Sequence, residues 1–170
     1  GIPAAGAGRA MIAEAGIMDD WKAGLRAEMR AIDIATGRQL WQSVADWDPG
    51  VPRVICCGLS SRGVAVFHGK VFVGTIDAHL KALDARTGKE IWKIKVAEWK
   101  EGYSITSAPT VANGVVMQGI AGGEYGIRGF VDGYDPDTGK RLYRRHTTPD
   151  PGEKGSETWP NGDAYQRGAG

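Results

Sequence analysis

The sequence carries almost no excess charge. Its 170 residues hold 21 Lys and Arg against 20 Asp and Glu, a net +1, which removes the electrostatic case for binding nucleic acid or an anionic membrane surface. Long apolar runs are missing as well: nothing approaches the ~18 consecutive apolar residues of a membrane-spanning helix. Residues 1–30 lack a basic start followed by an apolar stretch and a cleavage site. Histidine is scarce, and His68, His79 and His146 show no ligand spacing, so they read as surface or strand residues. "AGAGRA" near the start lacks the G-x-G-x-x-G spacing of a nucleotide loop.

Cysteine is nearly absent. The two present, Cys56 and Cys57, are adjacent. Neighbouring Cα atoms across a trans peptide lie about 3.8 Å apart, less than the usual ~4.4–6.8 Å of a disulfide, so a bond between them is strained and closes too small a loop to act as a staple. From the residues alone three readings stay open: two buried thiols, a redox pair, or a rigid ring used as a surface. Buried thiols are the default among them.

Glycine, by contrast, is abundant. There are 26 in 170 residues, about twice the ordinary share of ~7%, and they cluster between apolar runs. That distribution implies many tight turns and an all-β fold. With 42% apolar residues the chain has the means to build a core.

A repeat then organises the chain. "AIDIATGRQLW", "ALDARTGKEIW" and "GYDPDTGKRLY" place Trp41, Trp92 and Tyr143 at successive intervals of 51 residues, and the same interval separates Asp33, Asp84 and Asp135, and Gly37, Gly88 and Gly139. Each copy reads as strand, turn, strand. The Asp accepts backbone N–H bonds across the turn, the Gly supplies the positive φ of a hairpin, and the aromatic ring packs between neighbouring units. Further strands are predicted at Val64–His68, Val71–Ile76, His79–Leu83 and Glu90–Val96, with turns at Gly69-Lys70 and Asp77-Ala78. Four antiparallel strands per repeat describe a propeller blade. In the third copy an Ala-Gly-Gly-Glu insertion replaces a short turn, and loops on a rigid scaffold are where sites are built.

The repeat with its terminal Trp resembles the tryptophan-docking motif of the quinoprotein alcohol dehydrogenases of the methanol and ethanol dehydrogenase type, eight-bladed β-propellers that hold pyrroloquinoline quinone and a metal ion. "CCGLSSRG", "GYSITSAP", "GGEYGIRGF" and "PGEKGSETWPNGDAY" match that family in order, over residues 27–170. The resemblance implies that Cys56 and Cys57 form a disulfide ring against one face of the quinone, which in turn implies an oxidising compartment, the periplasm. It implies that Arg62 hydrogen-bonds the quinone oxygens, that the Thr106 hydroxyl meets a cofactor carboxylate, and that Ala121, Gly122 and Gly123 lie along the cofactor edge. Glu124 matches the carboxylate that binds calcium or a lanthanide, a hard cation preferring oxygen ligands.

The resemblance further implies a primary alcohol substrate, a cytochrome c electron acceptor and a homo-oligomer when intact. The chain is expected to be a fragment, about three blades of the propeller. The family's general-base Asp is expected downstream of residue 170, and this polypeptide alone is expected to be inactive. Residues 1–26 depart from the family pattern: Met11, Ala15, Met18, Trp21, Leu25 and Met29 fall at helical spacing, so this segment is expected to be helical or disordered. "CCGLSSRG" also departs from the commoner "CCDVVNRG". The rival reading is a non-catalytic propeller scaffold resembling the outer-membrane assembly lipoproteins, which share the Trp-bearing repeat but have no reason to keep Cys56, Cys57, Arg62 and Glu124 together.

Overall fold

Runs of period-two apolar residues become strands and each Asp-x-x-Thr-Gly becomes a turn. The computed structural model describes residues 9–12, 27–45, 47–55, 61–160 and 164–166. A first sheet contains β1 (Arg9–Ile12), β2 (Ala27–Asp33) and β3 (Gln39–Ala45); a second contains β4 (Ala65–Phe67), β5 (Lys70–Thr75), β6 (His79–Asp84) and β7 (Glu90–Lys95); a third contains β8 (Thr110–Ala112), β9 (Val115–Gly119), β10 (Phe130–Tyr134) and β11 (Arg141–His146). Pairing is antiparallel between sequential strands throughout. Among the described residues the only helical elements are single 3₁₀ turns.

The four strands predicted between Val64 and Val96 are those of the second sheet. The first hairpin turn sits one residue earlier than expected, at His68-Gly69, with φ of 46° and 73°. Both central residues of a type I′ turn need positive φ, so Lys70 is freed to open β5.

The helical spacing of Met11 through Met29 does not become a helix where it can be followed. Met11 lies on β1 opposite Ala31, and Met29 lies on β2. The edge of β2 turned away from β3 has backbone donors and acceptors to satisfy, and β1 satisfies them. Residues 13–26 fall outside the described residues.

The repeat persists in fine detail. Asp33 Oδ1 accepts from the Thr36 amide, Asp84 Oδ1 from the amides of Arg86 and Thr87, and Asp135 Oδ1 from those of Asp137 and Thr138. Gly37, Gly88 and Gly139 all adopt φ near 70° (69°, 72° and 71°). A register shift follows Ala31, Ala82 and Gly133 in turn, again at the same interval.

The sheets stack face to face. Met29, Trp41, Val71, Val73 and Leu83 fill the layer between the first and second, and Phe72, Leu80, Ala82, Val116 and Phe130 belong to the layer between the second and third. Sandwiched on both faces, β5 is buried from Val71 to Thr75, which explains its continuous rather than alternating apolar run. The outer strands β7 and β11 are largely exposed.

Tryptophans join the sheets. Trp41 Nε1 donates to the Ala85 carbonyl at 3.1 Å and Trp92 Nε1 to the Pro136 carbonyl at 3.2 Å. Each ring covers the glycine of the next repeat's turn: a Cβ on Gly88 would lie 2.6 Å from the Trp41 ring, and one on Gly139 3.0 Å from the Trp92 ring. A buried ion pair adds to the second junction. Asp132, fully buried, accepts from Arg144 at 2.8 and 2.7 Å and from the Tyr134 hydroxyl at 2.6 Å. Arg144 also reaches across to the Val96 carbonyl at 3.1 Å. Burial, then the Asp132 carboxylate, push the Tyr134 hydroxyl far above its ordinary pKa.

Candidate functional site

Because sequential strands alternate in direction, every second connection emerges at the same end of its sheet. One end carries the Asp-x-x-Thr-Gly turns and the tight hairpins at His68-Gly69 and Asn113-Gly114. The opposite end carries the connections at 46–64, 76–78, 96–109 and 120–129, all but the three-residue turn at 76–78 longer, and the segment that follows β11. The described site residues expected from the sequence lie on three of these: Arg62 on 46–64, Thr106 on 96–109, and Ala121, Gly122, Gly123 and Glu124 on 120–129. Cys56 and Cys57 themselves lie outside the described residues.

The structure links the rest. The Arg62 backbone amide donates to the Thr106 carbonyl at 2.9 Å, and its guanidinium Nη1 approaches the same oxygen at 3.5 Å. Two residues before Thr106, Ser104 exchanges both backbone hydrogen bonds with Ala121, at 2.9 and 2.8 Å. Between them Ile105 is fully buried. It seats against Gly74 of β5, where an added Cβ would come within 2.1 Å of its Cγ2, so the absence of a side chain at Gly74 is what lets the 96–109 connection settle onto the second sheet. Gln118 of β9 holds the same segment from beneath, its amide donating to Ser107 Oγ at 3.1 Å.

The Ala121–Glu124 stretch is pressed equally tightly. Gly122 has a φ of 128°, and a Cβ there would lie 2.0 Å from the Gly102 carbonyl oxygen. The close approach that Gly122 permits is therefore to the backbone of the neighbouring connection. Gly123, Glu124 and Tyr125 form one 3₁₀ turn ended by Gly126 in the left-handed region. The turn holds Glu124 outward and exposed.

Charge pairing separates these residues from their surroundings. On the same end of the strands, Asp77 is held below its ordinary pKa: burial pushes it up, but hydrogen bonds from His79 and Thr75 and the nearby Lys93 outweigh that. Lys95 pairs with Glu98 and Arg128 with Asp150. Arg62 and Glu124, by contrast, have no ion-pair partner among the described residues, and neither does the Thr106 hydroxyl have a hydrogen-bond partner there. No group of three His, Cys, Asp or Glu among the described residues is placed to hold a metal by itself.

An unpaired guanidinium, a free hydroxyl and an unpaired carboxylate on connected loops suit an anionic, oxygen-rich ligand accompanied by a hard cation. The donor set thus fits pyrroloquinoline quinone, a flat tricarboxylate, with a metal ion. Sequence reading did not single out Ser104, Ile105 or Gly74. Their signal is a glycine inside a strand that is otherwise continuously apolar.

Stacked antiparallel sheets, of three, four and four described strands, with a tryptophan of the first and of the second each fastened to the turn of the next, define a section of a β-propeller. The chain belongs to the PQQ_2 family, described as outer membrane protein assembly factor BamB, whose profile matches residues 26–161. Its curated relatives include quinoprotein and quinohemoprotein alcohol dehydrogenases. It is 45% identical over 148 residues to the quinohemoprotein alcohol dehydrogenase ADH IIB of Pseudomonas putida, covering 79% of this chain and 21% of that protein. It is 43% identical over 118 residues to 1-butanol dehydrogenase (cytochrome c) of Thauera butanivorans, covering 66% of this chain and 16% of that one. Among solved structures, a europium-containing methanol dehydrogenase superposes with a TM-score of 0.69 at 36% identity, over 74% of this chain and 23% of the other. The chain thus spans about a fifth of the length of these relatives.

Proposed function

We propose that this chain is one section of a pyrroloquinoline-quinone-dependent alcohol dehydrogenase that oxidises primary alcohols to aldehydes and passes the electrons to a cytochrome c. The observation that carries the reading is the set of unpaired groups, Arg62, Thr106 and Glu124, on linked connections of a chain whose relatives are quinoprotein dehydrogenases. Held by Arg62, Thr106 and Glu124, the quinone would supply a two-electron acceptor for alcohol oxidation, and calcium or a lanthanide would supply Lewis acidity.

The roles of this chain's residues follow from their chemistry. Arg62, steadied by the Thr106 carbonyl, directs N–H donors toward quinone oxygens and stabilises negative charge that develops on them. The Thr106 hydroxyl donates to a cofactor carboxylate. Glu124 supplies an anionic oxygen ligand to the cation. Cys56 and Cys57, joined as a disulfide, lie against the quinone face, and this assigns the protein to an oxidising compartment, the periplasm. No residue of 1–170 is assigned as the base that takes the alcohol proton. The intact enzyme is assigned a homo-oligomeric state.

The family's description favours a second reading, a propeller scaffold without catalysis. One experiment separates the two: the intact protein is incubated with pyrroloquinoline quinone plus calcium or a lanthanide, and dye reduction is followed with short primary alcohols. Alcohol-dependent reduction that disappears in both Arg62→Ala and Glu124→Ala is the expected result. A folded intact protein that takes up no quinone overturns the dehydrogenase and leaves the scaffold.

A further inference from the structure

The loop that carries Glu124 is anchored at both ends. At its start, Ala121 exchanges two hydrogen bonds with Ser104 and Gly122 is packed on Gly102. At its end stands Arg128, whose guanidinium is engaged on every side. Nε donates to Thr148 Oγ1 at 3.1 Å, Nη2 to the Thr148 carbonyl at 2.8 Å, and Nη1 pairs with Asp150 Oδ1 at 2.8 Å. The guanidinium carbon lies 5.0 Å from the Tyr165 ring centroid.

Thr148 is itself buried, at 1% exposure, and its hydroxyl donates onward to the Tyr165 carbonyl. The Thr147 amide donates to the Gly129 carbonyl at 3.0 Å, so backbone and side chain tie the same two segments. A planar fork with fixed donor directions suits such a three-point attachment, and lysine cannot reproduce it.

We propose that Arg128 is a positioning residue for Glu124: it fixes the 120–129 loop to Thr148, Asp150 and Tyr165 and so holds the carboxylate where a cation meets it. The proposal rests on the reading of Glu124 as a cation ligand. Among the described residues the Glu124 side chain receives no hydrogen bond, so its place in space is set by the backbone of a single 3₁₀ turn between two anchors. Groups that orient a metal ligand without touching the metal commonly change its affinity about 10- to 100-fold when removed.

The test uses the intact protein with pyrroloquinoline quinone and titrates terbium by its sensitised luminescence, comparing Arg128→Lys, Thr148→Val and Glu124→Gln. Amide hydrogen exchange is read separately over residues 122–127 and over β5 and β9. In Arg128→Lys the terbium Kd is expected to rise about 10-fold or more, with faster exchange over 122–127 and unchanged protection in β5 and β9. A Kd within twofold of the parent overturns the proposal, as does weakened binding accompanied by equal loss of protection in β5 and β9. Should Arg128→Lys fail to fold, Thr148→Val decides, since it removes the Nε contact, and with it the Thr148–Tyr165 bond, and keeps the guanidinium with its other two contacts: a Kd raised about threefold supports the proposal and an unchanged one overturns it. Glu124→Gln separates the two readings. If it leaves terbium affinity intact, the ligand role of Glu124 fails and the positioning role falls with it; if it abolishes affinity while Arg128→Lys does not, the positioning role alone fails.

Discussion

At one end of the strands Asp33, Asp84 and Asp135 close their own turns, accepting amides three residues on or nearer. Gly88 and Gly139 there are covered by a tryptophan from the preceding sheet. At the other end the connections hold each other, Arg62 to Thr106, Ser104 to Ala121, Arg128 to Thr148, and leave Arg62, Thr106 and Glu124 with capacity to spare. The first end repeats with a fixed period because each copy solves the same docking problem. The second abandons the period because its contacts are between different loops. Docking contacts are concentrated where the sequence repeats, and the proposed ligand chemistry where it does not.

Five substitutions in the intact protein sharpen or break that division. Trp41→Ala removes a ring that is 8% exposed together with its bond to Ala85, and is expected to cost about 3–5 kcal/mol in urea unfolding. A loss below about 1 kcal/mol would contradict the docking role. Gly88→Ala combines a positive φ with a Cβ driven into Trp41 and should cost about 2–4 kcal/mol. Gly37→Ala has the same φ but open space, and should cost only about 1–2 kcal/mol. Equal losses in this pair would show that the ring cover is irrelevant.

Acid sensitivity comes next. The Thr87 hydroxyl, followed by the Thr87 and Arg86 amides, holds the Asp84 carboxyl below its ordinary pKa. A depressed native pKa gives stabilisation that is present above the unfolded value, about pH 4, and lost as pH falls through the native one. Asp84→Asn should therefore flatten the acid limb of stability below about pH 4, and a limb as steep as the parent's would remove the turn from the account. Smallest in stability is Arg62→Met, which should stay within about 0.5 kcal/mol of the parent while quinone uptake, followed by absorbance, is lost. Substantial destabilisation would make Arg62 a structural residue and erase the contrast between the ends.

The same division governs what the sequence reveals. Strands of the second sheet, the turns and the tryptophan docking are legible because each depends on residues near in sequence or on an exact repeat. The Asp132–Arg144 pair is not, since a charged residue on an outer strand alternates like any solvated one until the neighbouring sheet brings the Val96 carbonyl against it. Arg128 sits inside a quoted motif, yet its partners lie 20 or more residues on with no spacing rule to announce them. Met11 misled in the other direction: spacing of three and four residues suits a helix, but the open edge of β2 recruited its segment as a strand. Gly122 was legible as a position requiring no side chain, although its neighbour is the Gly102 carbonyl.

The bond from each tryptophan to a carbonyl 44 residues later also sets a schedule. Trp41 leaves the ribosome long before Ala85 and Gly88, so its indole N–H and one ring face stay without their partners until the following repeat has been made. At ordinary synthesis speeds that wait lasts roughly 2–9 s, far longer than the microseconds a hairpin needs to close. Each sheet is therefore held half-finished by translation rather than by its own folding rate, and the docking step of one repeat becomes the signal that the next has arrived.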